Sequence, residues 1–115
     1  MSRPLDAKAL LAAYDDGRPV DRAAIEPLSD LARGEALQDE AVALRIARGE
    51  RPIGFKIGFT NHTIWPIYDV HAPIWAPVFD STVRLLDAPT ARIELGHWMQ
   101  PRLEPEIVFG LGRSP

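Results

Sequence analysis

Proline sets the first limit on this fold. Of eleven prolines in 115 residues, six lie between Pro66 and Pro105. A proline inside a helix removes a backbone donor and clashes with the preceding turn. The second half is therefore expected to be strands and turns, and helices belong to the first half. Asp6 to Asp16 reads as a short helix with Leu10, Leu11 and Tyr14 as its apolar stripe and Gly17 as its stop. Asp21 suits the cap of a turn through Ala23, Ala24 and Ile25, limited by Pro27; Ser29 and Asp30 offer another turn or cap. From Glu35 to Arg48 the pattern is helical, with Leu37, Ala41 and Leu44 on one face and Gln38, Asp39 and Arg45 facing outward. Gly49 ends that helix and Pro52 prevents its resumption.

Ile53 to Phe59 changes period. Ile53, Phe55, Ile57 and Phe59 alternate with Gly54, Lys56 and Gly58, which predicts a strand with one apolar face. A lysine flanked by glycines has open space around its ammonium, and glycine in a strand often marks close approach by a ligand or another backbone. The competing reading is an edge-strand lysine that resists aggregation. Thr60 to Asp80 is dense in aromatic residues and proline. It reads as a loop ordered by packing, either walling a pocket or pinned to the core by Trp65 and Trp75. Short strands are expected at Val83–Leu86 and Ala91–Leu95, with a turn at Asp87-Ala88-Pro89 between them.

Gln100 to Phe109 is read as a further strand. Leu103, Pro105, Ile107 and Phe109 would share one face; Glu104, Glu106 and Val108 would share the other. Carboxylates two apart on a strand, on Cα atoms roughly 6–7 Å apart, either repel in water or share something positive. Oxygen pairs of this kind suit Mg²⁺ or Mn²⁺, although E-x-E on a strand is more often a solvated face.

Other signals exclude chemistry. No cysteine is present, so disulfides and thiolate metal sites are ruled out. His62, His71 and His97 are too scattered for a histidine metal motif. Ser29, Ser81 and Ser114 lack a nucleophile-elbow context. Gly110-Leu111-Gly112 is too short for a phosphate loop. The formal net charge of −3 gives no footprint for nucleic acid. No apolar run approaches the roughly 18–20 residues needed to span a bilayer, and the N-terminus lacks the apolar stretch of a signal peptide. A cytoplasmic protein is the expectation.

Taken in order, the Gly54–Thr60 segment around Lys56, the aromatic loop leading to Phe79-Asp80, and Gln100-Pro101-Arg102-Leu103-Glu104-Pro105-Glu106 resemble a known family. It is the 2-keto-4-pentenoate hydratase and 2-oxohept-3-ene-1,7-dioate hydratase family, with its 4-oxalocrotonate decarboxylases, in the fumarylacetoacetate hydrolase superfamily. The resemblance implies an α+β chain with a helical region over 1–52 and the start of a β-rich catalytic domain over 53–115. It implies Glu104 and Glu106 as two carboxylate ligands of Mg²⁺ or Mn²⁺, with Lys56 and Asp80 as catalytic residues. Ser81 stands where family members carry a second acid. The implied substrates are 2-hydroxy-dienoates and 2-oxo acids of aromatic catabolism, and the implied assembly is a homo-oligomer. Family members run longer, with a third metal carboxylate beyond Pro115. The expectation is thus an N-terminal part, either of a hydratase or decarboxylase or acting only as an interaction module.

Overall fold

The computed structural model describes residues 5–26 and 30–114. Among these residues, four α-helices, α1 (Ala7–Asp15), α2 (Arg22–Ile25), α3 (Leu31–Ala47) and α4 (Trp65–Tyr68), accompany two strands, β1 (Pro52–Gly58) and β2 (Ile74–Phe79), with single 3-10 turns at His62–Ile64 and Asp80–Thr82. The chain is thus mixed α and β, as expected. The strands form one antiparallel sheet in which Lys56 faces Ala76 and Ile57 faces Trp75, with an irregularity between Pro52 and Gly54.

The helices begin and end for local reasons. Asp6, Asp21 and Asp30 cap α1, α2 and α3, each side chain accepting an otherwise unpaired backbone N–H. Pro27 and Ser29, expected to break and cap here, lie outside the described residues. Both long helices close on a left-handed glycine, Gly17 at φ +60° and Gly49 at φ +100°. After α1, the Gly17 N–H donates to the Tyr14 carbonyl and the Arg18 N–H to the Ala13 carbonyl. After α3, the Gly49 N–H donates to Ile46 and the Glu50 N–H to Arg45. Each is a Schellman closure, which satisfies the last carbonyls and turns the chain sharply. The second delivers Glu50 to a fixed place beside the sheet.

Helices α1 and α3 pack together. The buried side chains of α1 are Ala7 and Ala13, with Leu10 and Leu11 half-buried beside them, while Tyr14 is exposed at its edge. On α3 the half-buried face runs through Leu37, Gln38, Ala41, Val42, Leu44 and Arg45. Gln38 and Arg45, expected to face solvent, therefore face inward. For Arg45 the reason is visible: its guanidinium lies 4.0 Å from the Phe79 ring centroid and 5.2 Å from that of Tyr14. Aromatic faces attract a cation, and its aliphatic stem packs as an apolar residue does.

The aromatic loop is shorter than expected. Its second part, Ile74–Phe79, is strand β2. Its first part is pinned by Trp65, whose indole N–H donates to the Phe59 carbonyl at 2.8 Å. Phe59 also meets Tyr68 edge to face.

Beyond Thr82 the expected strands do not form. Residues 83–86, 91–95 and 100–109 carry no regular structure among the described residues. A strand exists only through hydrogen bonds to a neighbour, and no described segment pairs with these. Leu103, Ile107 and Phe109 are exposed. Alternating side chains make a segment ready to be a strand; a partner backbone makes it one.

Candidate active site

Lys56 lies mid-strand in β1. A Cβ placed on Gly54 would meet nothing within 4 Å, and one on Gly58 would meet only an Ile74 side-chain carbon at 3.8 Å. The flanking glycines thus leave the lysine's face open.

Into that space comes the Glu104/Glu106 segment. The Lys56 ammonium donates to Glu106 Oε1 and lies 3.4 Å from Glu104 Oε2. The two carboxylates therefore do share something positive, although they sit on an unpaired segment and not on a strand. Glu106 first, then Glu104, hold the ammonium above its ordinary pKa. A lysine that transfers protons near neutrality needs the opposite shift. Facing both carboxylates, Lys56 is held as the ammonium.

Asp80 is held elsewhere. Its Oδ1 accepts from the Arg51 and Ser81 backbone N–H groups, each at 2.9 Å, while its own N–H donates to the Arg51 carbonyl at 3.0 Å. It closes the ladder just beyond the Pro52–Phe79 pair. Lys56 faces Ala76, four residues back along β2, so roughly 13 Å separates the two positions along the strand. The structure joins Lys56 with Glu104 and Glu106 and leaves Asp80 at the far end of the sheet.

The three histidines make packing or surface contacts. His62 stacks on Trp65 at 4.3 Å between ring centroids, His71 pairs with Asp69, and His97 lies edge-on to Trp98.

A second charged cluster went unread in the sequence. Glu50 accepts two hydrogen bonds from Arg45, at 2.7 and 3.1 Å, one from Arg48 and one from the Ser81 hydroxyl. Arg48 also reaches Asp15 of α1 at 2.7 Å. The signal was available. Arg45 and Glu50 occupy the two ends of the Gly49 closure, where an apolar contact is more usual. The Arg45 guanidinium, with burial opposing, holds the Glu50 carboxyl at about 2, well below the ordinary value of 4.5. Arg48 is raised by Asp15 and then by Glu50. A carboxylate lowered on folding stabilises fully above its ordinary pKa and loses that contribution as pH falls toward the folded value. Glu50→Gln is therefore expected to cost roughly 1.5–3 kcal/mol at neutral pH and to flatten the loss of stability between pH 4.5 and about 2. Urea unfolding across that pH range measures both.

No family model matches the sequence. Curated proteins do. The chain is 33% identical over 114 aligned positions to a 2-keto-4-pentenoate hydratase of Paraburkholderia xenovorans, covering 94% of this chain and 39% of that protein. It is 33% identical to 2-keto-4-pentenoate hydratase 2 of Dechloromonas aromatica, over 96% of this chain and 42% of the relative. A 4-oxalocrotonate decarboxylase of a Pseudomonas species is 35% identical over 77 residues, or 67% of this chain and 29% of its own length. The chain is a sequence relative of the 2-keto-4-pentenoate hydratases and their related decarboxylases. It spans about two fifths of the length of the hydratases it matches.

No helix among the described residues is long and apolar enough to cross a membrane.

Proposed function

We propose that this chain supplies the lysine and two metal carboxylates of a divalent-metal-dependent hydratase, one that adds water to a 2-hydroxy-dienoate such as 2-hydroxypenta-2,4-dienoate. The observation that carries the reading is the meeting of Lys56 with Glu104 and Glu106 across fifty residues of chain. The hydratase names of the relatives supply the reaction. On this reading residues 1–52 are a helical region and residues 53–115 open the β-rich fold of the fumarylacetoacetate hydrolase superfamily.

The donor set fits Mg²⁺ or Mn²⁺ in kind: two carboxylates offer hard oxygens, and such ions keep several waters or take substrate oxygens for the rest. No group of three or more His, Asp or Glu side chains that could hold a metal lies among the described residues, and the two ligands of this reading are Glu104 and Glu106. When bound, the cation supplies Lewis-acid stabilisation of charge on a 2-oxo acid. Lys56, as the ammonium, anchors the substrate carboxylate. Asp80 fixes the far end of the sheet that carries Lys56, its Oδ1 accepting from two backbone N–H groups and its Oδ2 lying 4.0 Å from the Arg51 guanidinium. The substrate is a small carboxylic acid, and the assembly a homo-oligomer.

A second reading, decarboxylation, is favoured by the decarboxylase relative. One assay separates the two. The full-length protein is expected to consume 2-hydroxypenta-2,4-dienoate, followed by ultraviolet absorbance, only with Mg²⁺ or Mn²⁺ and without releasing CO₂. Release of CO₂ from 4-oxalocrotonate with no turnover of the dienoate would select the decarboxylase. Turnover indifferent to chelator would remove the metal from either.

A further inference from the structure

The cation that sits between Glu104 and Glu106 is the protein's own. Lys56 Nζ meets both carboxylates, Glu106 as a hydrogen-bonded ion pair and Glu104 at 3.4 Å. All three side chains are well exposed, Lys56 at 46%, Glu104 at 63% and Glu106 at 42%. The pair is thus open to exchange with ions from solution, because exposed ion pairs hold weakly. A Cβ on Gly54 would meet nothing within 4 Å and one on Gly58 only an Ile74 carbon at 3.8 Å, so no neighbouring side chain on this face of the strand hems in the lysine stem. A divalent ion and the ammonium cannot both occupy the centre of a two-carboxylate site, since like charges at contact repel.

We propose that Lys56 is a built-in competitor for this site: a divalent cation binds Glu104 and Glu106 by displacing the lysine ammonium, which frees Lys56 to pair with the substrate's carboxylate. The inference rests on the reading that these two glutamates take Mg²⁺ or Mn²⁺. It goes further by making metal arrival the event that arms the anion-binding lysine. Its consequence is an order of binding. Metal comes first, and the carboxylate of a 2-oxo acid finds a free ammonium only afterwards.

Two measurements on the full chain test it. Mn²⁺ binding, read by electron paramagnetic resonance of the free ion, is compared between the unaltered chain and Lys56→Met, which keeps the stem and removes the charge. Tighter binding by Lys56→Met, by about tenfold, is expected. Equal or weaker binding would overturn the exchange while leaving the metal reading intact. No Mn²⁺ binding by either protein, or binding that Glu104→Gln with Glu106→Gln leaves unchanged, would overturn both. The second measurement needs no variant: in ¹⁵N-lysine spectra, the Lys56 ammonium resonance should shift on adding Mg²⁺ and shift again when pyruvate, a minimal 2-oxo acid, follows. A Lys56 resonance that ignores Mg²⁺ would sink the proposal even if Lys56→Met failed to fold.

Discussion

Glu106→Ala in the full-length protein is expected, on the proposed hydratase reading, to remove most divalent-dependent turnover of the dienoate, a loss of about a hundredfold or more, the scale seen when one preorganised electrostatic group is deleted from a reacting centre. The same substitution should barely move the melting temperature. Glu106 and Lys56 are 42% and 46% exposed, and an exposed ion pair contributes about 0–1 kcal/mol. Activity and stability are thus predicted to part company at this residue. Glu106→Gln sharpens the test, because the amide keeps shape and loses charge. It should behave like alanine if charge toward a cation is what matters. Full activity in Glu106→Ala, measured by dienoate absorbance at saturating Mg²⁺, would end the metal assignment.

Parts of this arrangement were legible because they depend on neighbours in sequence. Asp6, Asp21 and Asp30 cap their helices through hydrogen bonds two or three residues away. Gly17 and Gly49 end theirs by adopting the left-handed conformation that glycine reaches without cost. Strand β1 announced itself by alternation. Its partner did not, because Pro77 argues against a strand wherever both edges are paired. In a two-stranded sheet every strand has an open edge, so a residue with no N–H is tolerated there. The opposite error fell on residues 103–109. Their alternation is real, but no described backbone pairs with them, and a period-two pattern without a ladder remains extended chain. Arg45 was misplaced for a different reason. Charge argues for the surface unless ring faces and a carboxylate wait inside, and Phe79, Tyr14 and Glu50 all come from other turns of the chain. The Lys56–Glu104–Glu106 meeting is likewise a fact of three dimensions: alternation put the glutamates two apart, and only folding put the lysine between them.

Phe79→Ala is expected to be the most damaging single truncation for the fold. Among the described residues the buried apolar side chains are three alanines and Phe79, the last only 3% exposed. Removing a buried phenylalanine typically costs about 3–5 kcal/mol through lost transfer energy and the cavity left behind. Here the ring also carries the Arg45 guanidinium at 4.0 Å, so its loss strips a half-buried cation of one face, worth roughly 0.5–1 kcal/mol more. The damage should spread, since Phe79 ends β2 and β2 is the sole described partner of the strand that bears Lys56. Urea denaturation is expected to show a loss of about 4–5 kcal/mol. Phe55→Ala supplies the control. It removes the same ring from the same sheet, but Phe55 is 68% exposed, and surface substitutions usually stay within about 0.5 kcal/mol. Equal losses at the two positions would mean that the Phe55 face is covered in solution, and that the junction of Phe79 with α3 is not where this fold is held.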